Sequence, residues 1–213
     1  MSQKGFLIVL SGFSGSGKGT IVKRLLEKYP DKYAVSISAT TRTPRKGERD
    51  GIEYFFKTED EFLKMISQDQ LLEHAKYVNH YYGTPKSYVF DQLDQSKNVI
   101  LEIEIQGALK IKRQFPDTLL LFVTPPSIEE LKKRLIHRST EPEDVINRRI
   151  ARAYEEAQDC EFYDYLIVND KLEECVDRIH QLVENESYRM SHNIDMIHTF
   201  KKDLQAYSKG EPS

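Results

Sequence analysis

Nine residues near the start of the chain combine glycines, hydroxyl groups and one lysine in a pattern suited to binding phosphate. They are, in order, Gly12, Phe13, Ser14, Gly15, Ser16, Gly17, Lys18, Gly19 and Thr20. The stretch fits G-x-x-x-x-G-K and follows the apolar run 6–10, whereas an ordinary glycine-rich turn would need neither feature. Inward-facing backbone N–H groups and a helix N-terminus form an anion site there, and Lys18 adds a positive charge for the β- and γ-phosphates of a nucleotide.

The loop departs from the usual pattern at Gly19, where a serine or threonine normally binds magnesium. The nearest hydroxyl group is that of Thr20. Glu102 lies near the end of a strand predicted at 98–103, and its carboxylate is well placed if that strand neighbours the first one. Because Mg²⁺ binds oxygen ligands and keeps several waters, we expect Thr20 and Glu102 to share this ion, directly or through water.

Two arginines three positions apart leave a predicted strand in the stretch SATTRTPR. The planar guanidinium groups of Arg42 and Arg45 suit a phosphate dianion, and nearby Tyr54, Tyr81 and Tyr82 offer hydroxyl donors. For an isolated R-x-x-R pair, solvated surface charges would be the simpler interpretation. The tyrosines favour a second phosphate site.

The elements that must position these residues alternate between short apolar runs and helical patterns, which is typical of βαβ units. Strands are predicted at 6–10, 33–38, 98–103, 118–123 and 165–169. The sequence therefore predicts an α/β fold with a parallel sheet flanked by helices.

Two helix starts carry capping boxes, in which a hydroxyl and a carboxylate satisfy each other's backbone donors. The boxes are 58–61 and 127–130. In the second helix, Ile128, Leu131 and Leu135 recur at helical spacing and are predicted to face the core.

Three further segments break the alternation of strands and helices. The insert 39–97 is rich in Arg, Tyr and Gly, and the stretch 138–149 is highly charged. Both are expected to lie beside the phosphate loop. The tail from about 187 to 213 is polar and predicted to be helical, with a frayed end.

Composition and charge narrow the class of protein. The 213 residues suffice for one elaborated domain, and 31 Lys plus Arg against 34 Asp plus Glu give a net charge of −3. We therefore expect no nucleic-acid partner, and the absence of a long apolar run predicts no membrane contact and a cytoplasmic location. Cys160 and Cys175 lack metal-ligand spacing and are expected to be reduced thiols.

Five motifs in this order resemble guanylate kinase: GFSGSGKGT, SISATTRTPRKGERDGIEYFF, LLEHAKYVNHYYGTP, LEIEIQGA and YLIVND. The resemblance implies a P-loop NTPase core with a GMP-binding insert and a lid. It also implies transfer of the γ-phosphate of ATP to GMP, with Mg²⁺, and leaves the oligomeric state open. The chain is then one domain, 1–213, with its core at 5–38 and 97–186, a GMP-binding region at 39–96, a lid at about 138–149 and an extra helical tail at about 187–213.

Two sets of residues match the family's contacts to GMP. Its phosphate contacts match Arg42, Arg45, Tyr54 and Tyr82, and its guanine contacts match Ser38, Glu73, Thr84 and Glu104. Guanine presents N1–H and an exocyclic amine side by side, and a carboxylate such as that of Glu73 can accept from both, whereas adenine has no such pair. An ordinary solvated glutamate is the alternative for Glu73.

The charged stretch 138–149 resembles the family's lid, whose arginines close over ATP. The resemblance predicts as catalytic residues Lys18, Arg45, Arg138 and Arg149. During transfer, charge spreads over the oxygens of the γ-phosphoryl group, and arginines brought in by closure stabilise it. GMP supplies its own ionised phosphate oxygen as the nucleophile. For Arg148, beside Arg149, a solvated surface position is the simpler interpretation.

Four positions depart from the family's pattern, and three alternative functions remain. Glu102 and Glu104 stand where the family often has Asp, Ser139 where Gly is common, and Gly19 has been noted. The alternatives are a non-catalytic binding module of the same fold, a kinase of another phosphorylated ribose compound, and a P-loop GTPase. The intact phosphate loop disfavours the binding module, and Glu73 disfavours the kinase of another ribose compound. The missing N-K-x-D signature disfavours the GTPase.

Overall fold

The computed structural model describes residues 4–77, 79–138 and 143–208. In that part of the chain the strands are β1 (Leu7–Gly12), β2 (Tyr33–Val35), β3 (Ala39–Thr40), β4 (Phe55–Phe56), β5 (Leu71–Tyr77), β6 (His80–Pro85), β7 (Asn98–Leu101), β8 (Leu119–Thr124) and β9 (Tyr165–Val168). The helices are α1 (Lys18–Lys28), α2 (Glu59–Ser67), α3 (Lys86–Asp94), α4 (Ile105–Gln114), α5 (Ile128–Arg138), α6 (Glu143–Ala157), α7 (Leu172–Glu186) and α8 (Ile194–Ser208). Short 3₁₀ helices occupy Cys160–Phe162 and Met190–Asn193.

A five-stranded parallel sheet forms the centre of the fold, in the order β2-β7-β1-β8-β9. The strands β1, β7 and β8 are almost continuously buried, as expected of parallel strands covered on both faces. Helices α1, α3 and α4 pack against these strands. The predicted α/β fold with a parallel sheet flanked by helices is confirmed.

Each predicted strand of this sheet exists, but some of its limits differ. The first strand runs to Gly12, two residues beyond the prediction, because β1 pairs with β8 up to that glycine. The strand predicted at 33–38 ends at Val35. Beyond it, Ser36 N–H still donates to Ile100 O at 2.8 Å, and the chain then leaves for a second sheet. β7 pairs with β1 from Leu7 opposite Val99, so the neighbour relation required for Glu102 is confirmed.

The insert contains a four-stranded sheet, ordered β4-β3-β6-β5, which the sequence did not predict. Two of its strands have only two residues each, too short to show an alternating pattern. Phe62 of α2 is fully buried in a cluster with Ala39 and Leu71 of this sheet. β5 and β6 form an antiparallel hairpin with Ala75 opposite Tyr82.

Both predicted capping boxes mark real helix starts, and the reciprocal pair of hydrogen bonds is described at the first of them. Thr58 Oγ1 accepts from Glu61 N–H at 3.2 Å, and the Glu61 carboxylate accepts from Thr58 N–H at 2.7 Å. At α5, Ser127 Oγ accepts from Glu130 N–H at 3.2 Å.

The prediction that Ile128 faces the core is wrong, because its side chain is 59% exposed. Ile128 begins α5, and the residues that reach the core, Leu131 and Leu135, lie further along the helix.

The chain divides into two compact units, one ending at Cys175 and one beginning at Val176. Cys160 and Cys175 are free thiols. The described part of the tail contains α8, so its helical character is confirmed, while 209–213 lie outside the described residues. No helix in the described ranges is long and apolar enough to cross a membrane.

Candidate functional site

A large pocket lies where the carboxyl ends of the parallel strands meet the insert sheet. Its volume of about 1450 Å³ exceeds the roughly 300–1,000 Å³ of a site for one small molecule. The first unit contributes its walls, including the phosphate loop, the insert sheet and the inner face of α6. The pocket can therefore hold two nucleotides.

Three glycines of the phosphate loop, Gly12, Gly15 and Gly17, have positive φ angles, and at two of them a Cβ would also collide with a neighbouring atom. Gly12 has φ +146°, and a Cβ there would lie 2.1 Å from Val123 O. Gly17 has φ +94°, and a Cβ there would lie 2.5 Å from Asn169 Nδ2. The next residue, Lys18, begins α1 and donates from Nζ to the carbonyl oxygens of Gly12 and, at 3.1 Å, Phe13.

Two side chains from distant parts of the chain fix the loop, and sequence reasoning missed both. Asn169 Nδ2 donates to Ser16 O at 2.8 Å, and Arg134 Nη2 donates to Asn169 O at 2.9 Å. The Glu130 carboxylate in turn holds Arg134 Nε at 2.8 Å. The sequence position of Asn169 could have indicated its role, because it directly follows the last parallel strand. Ligands bind at the carboxyl ends of such strands.

A chain of aromatic ring contacts connects the phosphate loop to the sheet. The Phe13 ring meets that of Phe122 at 5.0 Å, and Phe122 meets Tyr163 at 5.2 Å, both edge to face. Burial raises the pKa of the Tyr163 hydroxyl to about 12, so this phenol remains protonated at neutral pH. Phe13 also packs against a cluster shared by α5 and α6, which joins the loop to both helices.

The surroundings of Gly19 fit a magnesium ion bound mainly through nucleotide phosphates and water. A Cβ on Gly19 would lie 3.8 Å from Glu102 Oε2, so a carboxylate stands beside the missing hydroxyl. Thr20 and Glu102 both line the pocket. Partial desolvation raises the pKa of Glu102, while the Lys18 charge opposes the shift. Among the residues described, no group of three or more His, Cys, Asp or Glu could hold a metal ion by itself.

The second part of the pocket contains Glu73 of β5, whose carboxylate is bonded to Thr84 of β6. Thr84 Oγ1 donates to Glu73 Oε1 at 2.8 Å, and Thr84 is fully buried. Desolvation raises the pKa of Glu73, although the Thr84 bond and the Lys110 charge favour the ionised form. Ser38 lines the same pocket. Glu104 lines it as well, so three of the four predicted guanine contacts line the pocket, and the fourth, Thr84, is the hydrogen-bond partner of Glu73.

Arg42 is held by a partner that the sequence analysis did not single out. Its Nη2 lies 2.9 Å from Glu48 Oε1, and the guanidinium lies 5.3 Å from the centre of the Tyr54 ring. Glu48 raises the pKa of Arg42 further, so this side chain stays charged. Tyr82 packs edge to face on Tyr54 at 6.2 Å, and both tyrosines line the pocket.

Arg45 and Glu104 make contacts that the sequence did not predict. Arg45 is exposed and, like Arg42, lies outside the pocket lining, while its backbone N–H donates to Glu48 Oε2 at 2.7 Å. Glu104 lines the pocket, but its carboxylate pairs with Arg152 of α6 at 2.6 Å. The roles assigned to these residues, as to the other predicted contacts, stay predictions.

The predicted lid is described only in part. Arg149 of α6 lines the pocket. Arg138 ends α5, but its side chain lies outside what the structure describes, and so do Ser139 and the rest of 139–142.

A G-x-x-x-x-G-K loop that joins the carboxyl end of the central strand of a parallel sheet to a helix defines the P-loop NTPase fold. The comparisons with known proteins agree. The family model described as guanylate kinase matches residues 4–186. Guanylate kinase of Caldanaerobacter subterraneus subsp. tengcongensis is 48% identical over 196 residues, covering 92% of this chain and 95% of the relative. That of Halalkalibacterium halodurans is also 48% identical, covering 92% and 96%.

A solved structure supports the same conclusion. The crystal structure of guanylate kinase from Anaplasma phagocytophilum superposes with a TM-score of 0.68 at 34% identity, covering 88% of each chain. The chain belongs to the guanylate kinase family. It is a transferase that phosphorylates GMP to GDP at the expense of ATP, and membership implies the Mg²⁺ that accompanies ATP in kinases generally.

Proposed function

We propose that this phosphoryl transfer takes place inside the large pocket described above, between an ATP on the phosphate loop and a GMP on the insert sheet. The observation that carries the proposal is that Lys18 and Glu73 line the same cavity. A nucleotide bound at each place would bring donor and acceptor phosphates together, and such positioning supplies much of the catalysis in phosphoryl transfer.

On the donor side, the loop from Gly12 to Thr20 binds the ATP phosphates. Its N–H groups and the start of α1 face negative charge, and Lys18 leaves the carbonyl oxygens of Gly12 and Phe13 to neutralise the β- and γ-phosphates. Arg149 and Arg138 add positive charge as the γ-phosphoryl group moves.

On the acceptor side, Glu73 accepts from N1–H and the exocyclic amine of guanine, with Thr84, Ser38 and Glu104 around the base. The Thr84 hydroxyl already orients the Glu73 carboxylate, which supports this assignment. The GMP phosphate is bound by Arg42, Arg45, Tyr54 and Tyr82. Because Glu48 holds Arg42 in place, the phosphate site is partly preorganised.

Thr20 and Glu102 would hold the Mg²⁺ that accompanies ATP, directly or through water. The ion would supply positive charge that neutralises the phosphates during transfer. Glu102 is favourably placed, because Gly19 leaves the space beside its carboxylate open.

We propose a single domain in which 39–96 binds GMP, about 138–149 acts as the lid and about 187–213 is an added tail. A cytoplasmic location stays a prediction.

The proposal is tested by ADP release from MgATP with GMP, AMP, UMP, a ribose phosphate or no acceptor. We expect rapid release with GMP alone, because Glu73 and Thr84 match guanine. Binding of GMP without ADP release would favour a non-catalytic module. Equal release with the ribose phosphate would favour a kinase of another substrate.

The Glu102→Gln variant is expected to need about tenfold more Mg²⁺ for half-maximal rate at fixed ATP, since it loses the anionic oxygen near the ion. Titration of the initial rate with free Mg²⁺ measures this midpoint. The control is Glu155→Gln, an exposed residue of α6 outside the pocket lining. A reduced rate with an unchanged Mg²⁺ midpoint would refute the role of Glu102.

A further inference from the structure

Arg152 of α6 binds a carboxylate at the start of α4. Its Nη2 lies 2.6 Å from Glu104 Oε1, and its Nε lies 3.2 Å from Glu156 Oε1, one turn further along α6. Glu104 Oε2 accepts no hydrogen bond from the residues that the structure describes. One oxygen of Glu104 is therefore held by protein, while the other is available to a ligand.

Arg152 extends from a helix that is packed against its neighbours. One stripe of the helix packs into a cluster with α5 and the phosphate loop, through Ile146, Ile150 and Ala153. The neighbouring stripe, spaced three and four residues apart, lines the pocket with Arg149, Arg152 and Glu156. The guanidinium therefore extends into the pocket from a packed helix rather than from a loop.

The ion pair is not explained by stability alone. The side chains of Arg152 and Glu104 are 45% and 71% exposed, and pairs this exposed contribute little to folding. Glu104 stands at the N-cap of α4, yet its carboxylate makes no capping hydrogen bond. A base bound in the pocket would shield the pair from water and strengthen it.

We propose that Arg152 is a positioning residue for base selection, holding Glu104 so that its free oxygen accepts from the exocyclic amine of guanine. The inference rests on the proposed guanine contact by Glu104 and deepens it. Arg152 acts through Glu104 and need not touch the base. IMP differs from GMP by lacking this amine. The preference for GMP over IMP therefore measures the contact between Glu104 and the amine.

The test compares the full chain with its Arg152→Met variant, using calorimetric Kd values for GMP and IMP and KM values for GMP and ATP. We expect the Kd ratio of IMP to GMP to fall about tenfold and KM for GMP to rise by a similar factor, the loss of about one well-oriented hydrogen bond. KM for ATP and the midpoint of thermal unfolding should stay unchanged. Arg148→Met, on the same helix but outside the pocket lining, is the matched control and should leave the ratio unchanged.

Two more variants separate this inference from the role of Glu104 itself. Glu104→Gln should lower the same ratio, and adding Arg152→Met to it should lower the ratio no further, because both changes remove one contact. If Glu104→Gln lowers the ratio and Arg152→Met does not, the inference about Arg152 is wrong while the guanine contact stands. If Glu104→Gln leaves the ratio unchanged, both are wrong. Strictly additive losses in the double variant would also overturn the inference.

Discussion

Replacing Lys18 by methionine is expected to lower kcat by about 10³-fold. The ammonium group is the mobile positive charge of the phosphate loop, and loss of one such group at a transferring phosphoryl commonly costs about 10²–10³ in rate. Methionine keeps most of the side-chain volume and removes only the charge. Steady-state ADP release with saturating GMP measures the change.

The control for this variant is Lys132→Met, an exposed lysine of α5 outside the pocket lining. It should retain the activity of the unmodified chain. A Lys18→Met variant that keeps kcat within tenfold, with the protein folded, would show that the loop does not hold the transferred phosphate.

The Glu73→Gln variant is expected to lose about 10³-fold in kcat/KM for GMP, with KM for ATP nearly unchanged. Guanine donates two neighbouring hydrogen bonds, and a charged acceptor is worth about 1.5–3 kcal/mol for each. The amide keeps one acceptor and turns an N–H₂ donor toward donors of the base. Glu59→Gln, an exposed residue of α2, is the matched control. An equal loss in the ATP and GMP parameters would point to a folding defect instead.

The Glu73 carboxylate should also affect how kcat/KM for GMP depends on pH. Its raised pKa means that the carboxylate begins to take up a proton above the usual range of a glutamate. Because guanine binding needs the ionised form, kcat/KM for GMP should be full above this pKa and fall as the pH drops through it. Phosphate groups titrate near pH 6 as well. In the Glu73→Gln variant, the pH dependence of kcat/KM that comes from the phosphate groups should remain, and the part that comes from the Glu73 carboxylate should disappear.

The donor side could be predicted in detail from the sequence because its parts are contiguous. Nine consecutive residues supply the loop, the glycine conformations and the lysine, and the strand before them is unambiguous. The alternating pattern left open whether β7 lies beside β1, and the structure pairs the two strands and places Glu102 near the loop.

The supports of the site could not be predicted, because they join residues far apart in sequence. Asn169 meets Ser16 across 153 positions, and Arg152 meets Glu104 across 48. No local pattern distinguishes such an arginine from a solvated one. Glu48 is closer to Arg42, but a glutamate among charged neighbours gives no sign of which cation it holds. The insert sheet escaped prediction because two of its strands are only two residues long.

The Glu73–Thr84 pair lies on one hairpin, β5 and β6, while Lys18 and its loop belong to the parallel sheet. In the proposed roles, the main guanine-binding carboxylate therefore lies on a different structural element from the phosphate loop. Substitutions in the hairpin should then alter which base is accepted without disturbing the loop. An engineer seeking kinases for modified purine nucleotides could diversify this hairpin together with Glu104 and Arg152, and leave the loop sequence fixed.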